Sequence, residues 1–141
     1  MDDAELRDLA TRLHSASIRL LRTLRREDDG SGLSAPRLSA LSVVVFAGPL
    51  SLAELAAAEQ VRPPTMSRLV DALVEAGLVT RETLAGDRRS VRIAATRRGL
   101  EVMEAGRERR VAALAERLGR LPTGEARAVA KAIQALEALV R

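Results

Sequence analysis

Val61-Arg62-Pro63-Pro64-Thr65-Met66-Ser67-Arg68-Leu69-Val70 is the stretch whose reading decides the fold of this chain. Two prolines suit the first turn of a helix, where a fixed φ fits and a missing N–H costs nothing. Met66, Leu69, Val70, Leu73 and Val74 then recur at helical spacing and form one apolar stripe. Pro64, Thr65, Arg68, Asp71 and Ala72 lie away from it, with Ser67 at its margin. Ala76-Gly77-Leu78 supplies a glycine stop of the left-handed kind.

Upstream, Ser51 caps a helix that runs through Gln60, and Glu54 three residues on completes a capping box. Leu52, Leu55 and small Ala56 face inward. The short turn Gln60-Val61-Arg62 joins this helix to the proline-led one, which makes a helix-turn-helix candidate. An ordinary helical hairpin with a solvated polar face would share that pattern. The next segment of the chain favours the helix-turn-helix. Residues 79–84 and 90–95 suit short strands, with Val91, Ile93 and Ala95 alternating with Ser90, Arg92 and Ala94. Between them the turn Ala85-Gly86-Asp87-Arg88-Arg89 puts two adjacent arginines at the tip of a hairpin, or wing. A helix offering Thr, Ser and Arg fits a DNA major groove. The basic wing fits the adjacent minor groove, where narrow A·T tracts concentrate negative potential. Asp87 braces one arginine and leaves the other, Arg88 or Arg89, to enter it.

Charge distribution agrees with a polyanionic partner. The formal charge of the 141 residues is +4. Residues 61–100 hold eight basic groups (Arg62, Arg68, Arg81, Arg88, Arg89, Arg92, Arg97, Arg98) against four acids (Asp71, Glu75, Glu82, Asp87). The whole excess therefore sits in the helix and wing just described. Apolar residues make up 47% but Phe46 is the only aromatic, so the core must be aliphatic and mainly helical. With no cysteine, disulfides, thiolate metal sites and thiol redox sensing are excluded. No run reaches transmembrane length and Met1-Asp2-Asp3 lacks a signal peptide's features, so a soluble, cytoplasmic protein with no membrane partner is expected.

The outer segments read as helices. Residues 4–26 carry Leu6, Leu9, Leu13, Ala16, Leu20 and Leu24 on one face, and Glu27-Asp28-Asp29-Gly30-Ser31-Gly32 then breaks the pattern. His14 stands without a neighbouring ligand type, and a surface or packing role is expected. Ser34-Ala35-Pro36 starts a helix with Leu38, Leu41, Val44 and Val45 inward, ended by Gly48-Pro49. Thr96 caps a long helix to about Arg120, using Leu100, Met103, Val111, Leu114 and Leu118, with the charged run Arg107-Glu108-Arg109-Arg110 between them. Gly99 and Gly106 within it suggest close packing or a bend. A final helix after Leu121-Pro122-Thr123-Gly124 carries Val129, Ala132, Ile133, Leu136, Leu139 and Val140. Both terminal stripes exceed what a small winged helix needs to cover itself. A two-fold dimer through residues 4–24 and 122–140, with Leu6, Leu9, Leu13, Ile133, Leu136, Leu139 and Val140 in contact, would place two reading helices about 34 Å apart.

This arrangement resembles the MarR family of winged helix-turn-helix regulators. The likeness spans nearly the whole chain and rests on residues 55–70, on Leu73 with Ala76-Gly77-Leu78-Val79, and on Gly86-Asp87-Arg88-Arg89-Ser90-Val91-Arg92-Ile93 with Thr96 and Gly99 beyond. It implies a mainly α single domain with a β-hairpin wing, its DNA-binding lobe at residues 34–95 and dimerisation helices at 4–26 and 97–140. It further implies a homodimeric repressor that binds palindromic double-stranded DNA. By motif position Pro64, Thr65, Ser67 and Arg68, with Arg62 beside them, meet the major groove, and Asp87, Arg88 and Arg89 form the wing contact. The family often binds small anionic aromatic effectors between dimer helices and lobe. Here there is no Trp or Tyr to stack on one, and Arg97 stands where a proline is frequent. Glu59 and Gln60 replace the apolar residue and glycine common in helix-turn-helix units. No cofactor or metal is implied. Two other classes are weighed: a winged-helix protein-interaction module without operator binding, and an enzyme, for which no Ser/His/Asp, Cys/His or paired-carboxylate set converges.

Overall fold

A capping box starts the first helix, α1 (Asp3–Arg25). The Glu5 N–H donates to Asp2 at 2.9 Å and the Asp2 N–H donates to the Glu5 carboxylate at 2.7 Å. The structure, a computed structural model, describes residues 1–83 and 91–141. The acids after α1 do not break the helix as the sequence suggests. They tighten it into a 3₁₀ turn (Arg26–Ser31), and the chain leaves only at Gly32, whose φ of 70° favours glycine. Then come α2 (Ala35–Ala47), with Pro36 in its first turn, and α3 (Leu52–Ala58), capped by Ser51 and Glu54 as expected. The proline-led helix is α4 (Pro63–Glu75). The antiparallel strands β1 (Val79–Thr83) and β2 (Val91–Ala95) pair in register from Val79 with Ala95 to Thr83 with Val91. Helices α5 (Arg97–Gly119) and α6 (Thr123–Leu139) finish the chain.

The core is aliphatic, and it lies in the middle of the chain. Leu41, Val44, Leu55, Met66, Val70, Leu73, Val79 and Ile93 are fully buried, whereas Phe46 is 78% exposed. The inward face of α4 is narrower than its periodicity suggests. Met66, Val70 and Leu73 are buried, Leu69 is half-buried, and Val74 is 37% exposed because it has rotated past the contact with α2 and α3. Likewise Leu100 and Val111 of α5 face outward, while Ala40 of α2 is fully buried. α3 ends at Ala58 rather than Gln60, and Gln60 turns the chain with φ of 54°. A residue with a β-carbon occupies the left-handed region there, at the position where glycine is common in such turns. Leu50 joins the sheet edge, its N–H donating to Ile93 O at 3.1 Å and the Ile93 N–H donating back at 2.8 Å.

One knot ties the end of α4 to the start of α5. The Thr96 hydroxyl donates to Gly77 O at 2.7 Å and accepts from the Gly99 N–H at 3.1 Å, while the Thr96 N–H donates to Leu78 O at 3.0 Å. Gly77, with φ of 73°, makes the left-handed stop. Gly99 packs so closely on this turn that a β-carbon would overlap the Leu78 carbonyl oxygen and press on Leu41. The terminal helices contrast with this region. Neither α1 nor α6 contributes a buried residue, and α6 makes no substantial contact with another element among the described residues.

Gly99→Ala is expected to destabilise the fold by about 2–3 kcal/mol, the range for overpacking a site whose neighbour is rigid backbone. Gln60→Gly is expected to stabilise it by about 0.5–1 kcal/mol, the relief of left-handed strain partly offset by glycine's greater unfolded entropy. Urea midpoints at unchanged slope measure both.

Candidate nucleic-acid interface

Burial of Met66, Val70 and Leu73 fixes the rotation of α4 and turns the side chains one helical step away to the surface. Arg62 is the N-cap, extended at φ −71° and ψ 146° without a side-chain cap. Arg62, Pro64, Thr65 and Arg68 are exposed and Ser67 is half-buried. Arg62, Thr65, Ser67 and Arg68 make no side-chain hydrogen bond or ion pair within the described residues. The face thus offers two guanidinium groups and two hydroxyls on a helix held from behind by the core. Such donors suit phosphates and base edges, and no bond to another described residue must break for them to bind.

The wing contact read from the sequence, Asp87 with Arg88 and Arg89, lies outside the described residues. Its root does not. Arg81 of β1 pairs with Asp71 of α4 at 2.6 Å, and Arg92 of β2 pairs with Glu54 of α3 at 2.9 Å. One strand of the hairpin is therefore tied to each helix of the helix-turn-helix. Both pairs are solvent-accessible, so they orient the wing more than they stabilise the fold. Glu54 has two tasks, because the oxygen that receives Arg92 also accepts the Ser51 N–H at 2.9 Å. Its carboxyl is held below the ordinary 4.5, first by that backbone hydrogen bond; desolvation opposes it, and Arg92 adds to the lowering. Sequence reading recognises Glu54 only as a cap. Its second partner lies 38 residues away, and only the strand register reveals it.

The residues read as dimer contacts lie mostly in the open. Leu6 and Leu9 are each 50% exposed, Leu139 70% and Val140 86%; Ile133 and Leu136 are also exposed, and Leu13 is half-buried. His14 is exposed on α1. Where the end of α1 meets α2 and α5, a cleft of about 770 Å³ is lined by Leu21, Leu24, Leu33, Leu38 and Met103, with Asp28 and Arg110 at its polar edge. Its walls hold no aromatic side chain. No single helix among the described residues is long and apolar enough to cross a membrane.

Comparison with known proteins converges on one family. The MarR family model matches residues 33–91. An HTH-type transcriptional regulator of Mycobacterium bovis is 36% identical over 140 residues, covering 99% of this chain and 97% of the relative. A transcriptional regulator of Thermotoga maritima superposes with a TM-score of 0.82 at 23% identity, over 94% of both chains. A MepR variant from S. aureus, solved bound to an oligodeoxyribonucleotide, superposes with a TM-score of 0.72 at 17% identity, over 94% of this chain and 98% of that one. At these identities the two superpositions speak for the fold.

Because Glu54 ionises more easily folded than unfolded, its charge adds stability above the ordinary pKa of 4.5. That contribution is lost as the pH falls through the lowered folded value. Glu54→Gln should therefore be less stable than wild type at neutral pH and converge with it in acid. Urea midpoints over a pH series read this directly; parallel curves would show that Glu54 does not carry the effect.

Proposed function

The chain belongs to the MarR family, and on that premise we propose that it is a homodimeric transcriptional repressor that binds a palindromic operator in double-stranded DNA. The observation that carries this reading is the polar face of α4, which has no side-chain partner among the described residues and is anchored from behind by Met66, Val70 and Leu73. Pro64, Thr65, Ser67 and Arg68, with Arg62 at the helix start, are assigned to the major groove. By their position in the sequence between the two strands, Arg88 or Arg89 is assigned to the minor groove, with Asp87 as its brace. The mycobacterial relative's description as a transcriptional regulator supports the same function, and the MepR variant bound to an oligodeoxyribonucleotide carries the same fold. A DNA target implies a cytoplasmic protein.

Dimerisation follows from what the terminal helices leave uncovered. A single reading helix contacts only a few base pairs, and two related by a two-fold axis span one turn of DNA. The apolar faces of α1 and α6 have no cover among the described residues, which suits a second copy far better than water. The cleft at the α1–α2–α5 junction is the place for a small-molecule effector, because pressure there moves the terminal helices relative to the lobe. Its lining, half aliphatic and half polar with no aromatic side chain, disfavours an aromatic ligand held by stacking on a ring.

Fluorescence anisotropy on DNA from upstream of the chain's own gene, against scrambled DNA over a salt series, tests the proposal. Tight, palindrome-dependent binding with two chains per site is expected. Arg68→Ala should cost roughly 1–3 kcal/mol per half-site and relax specificity at one position in each half of the operator. Arg89→Ala, which removes one contact from each protomer, should weaken binding and lower the salt slope by about 1.8, roughly 0.9 per half-site. Weak binding, equal on both DNAs and abolished by salt, would favour a protein-interaction module instead.

A further inference from the structure

The run Arg107-Glu108-Arg109-Arg110 interrupts the apolar positions of α5, and neither the DNA-reading face nor the terminal stripes account for it. Its two half-buried members reach back to the 3₁₀ turn that continues α1. Arg109 Nε donates to the Glu27 carbonyl oxygen at 3.1 Å, and Arg110 pairs with the Asp28 carboxylate. The side chains of Arg110 and Asp28 are 29% and 23% exposed, which makes this the least exposed ion pair among the described residues. Gly30 makes room for a guanidinium group, and Gly106 lies beside both of them. A β-carbon on Gly30 would stand 3.2 Å from Arg109 Nε, and one on buried Gly106 would stand 3.5 Å from an Arg110 nitrogen and 3.7 Å from an Arg109 nitrogen.

The chemistry suits a joint. The end of a helix leaves carbonyl oxygens unsatisfied and carries partial negative charge, and a guanidinium answers both while keeping its own charge at every accessible pH. α1 buries no residue, and its main contacts are with the 3₁₀ turn and with α5. The two arginines therefore grip a rod at one end. With 23 residues the rod is about 34 Å long, so a swing of roughly 6° moves its far end by about 3.4 Å, one base-pair step.

We propose that Arg109 and Arg110 are positioning residues that fix the angle between α1 and α5 and thereby set the half-site separation the dimer accepts. The proposal rests on the dimeric operator-binding reading and goes beyond it by assigning spacing selectivity to a joint remote from the DNA.

Two measurements on the full-length chain separate the proposal from its premise. The first is anisotropy on operators whose half-sites are moved apart or together one base pair at a time. The second, without DNA, is the distance distribution between spin labels on Glu75→Cys, the sole cysteine of each protomer. Wild type should show one preferred spacing and a narrow distance. Arg110→Met, Arg109→Met and each single reversal, Asp28→Lys or Arg110→Glu, should lose about tenfold on the best spacing, since simultaneous engagement is what geometry controls. The same variants should change less than twofold on neighbouring spacings, and their label distances should broaden. The double reversal Asp28→Lys with Arg110→Glu should restore both readouts. An equal loss at every spacing, an unchanged profile, or a double reversal without rescue overturns the proposal. A wild-type protein with neither a dipolar signal nor a spacing preference overturns the dimeric reading itself, and the proposal falls with it.

Discussion

The Thr96 knot is the contact on which the rest of the molecule depends. Four elements meet there: α4 ends just before Gly77, β1 begins at Val79, β2 ends at Ala95 and α5 starts at Arg97. A single hydroxyl donates across to Gly77 O and accepts from the Gly99 N–H. These groups lie at helix ends, where backbone donors and acceptors have no intrahelical partner, so the knot satisfies what two helices leave open. It also has a mechanical consequence. The helix that faces DNA and the helix that leads toward the uncovered apolar stripes are fastened through one turn with no space for a β-carbon at Gly99. The two helices therefore meet at a tightly fastened joint.

Two parts of the chain obey different rules of burial. The middle, from α2 to the start of α5, closes over an aliphatic core whose largest members are Leu, Ile, Met and Val. The ends do not close at all. Leu20 and Leu21 of α1 and Ile133 of α6 remain more than a third exposed, and apolar surface on this scale is unfavourable in water. A capped helix such as α1 can persist locally, but most helical stability in proteins comes from packing an amphipathic face. The terminal helices thus need a surface that the described residues do not supply.

Much of this is legible in the sequence, and what escapes it has a common cause. Ser51 with Glu54, Gly77 and Thr96 announce themselves because caps and stops are set by residues within three or four positions of one another. The proline-led α4 and its outward Thr65 and Arg68 are set by a helical period. Long-range pairing is a different matter. Nothing near Arg92 in the chain points to Glu54, and nothing near Arg110 points to Asp28, 82 residues away. The acidic run after α1 reads as a break because local composition cannot show that a guanidinium waits for its carbonyls. Val74 reads as buried for a related reason: periodicity gives the direction of a stripe, and only the packing partners give its width.

These pairings also revise what the charge count means. Of the eight basic residues between positions 61 and 100, Arg81, Arg92 and Arg97 are engaged with Asp71, Glu54 and Glu101. Among the described residues of that segment, Arg62, Arg68 and Arg98 have no acidic partner. A paired arginine is largely neutralised by its neighbouring carboxylate, so it adds little to the phosphate neutralisation that releases counterions condensed on DNA. The unpaired ones keep a full charge for phosphate. They include the two that flank the outward face of α4, while the paired Arg81 and Arg92 hold the root of the hairpin. Paired charge sets the direction in which the surface points, and unpaired charge supplies the attraction. The same residue type in one short segment serves both ends, and only the geometry of the acids beside it decides which.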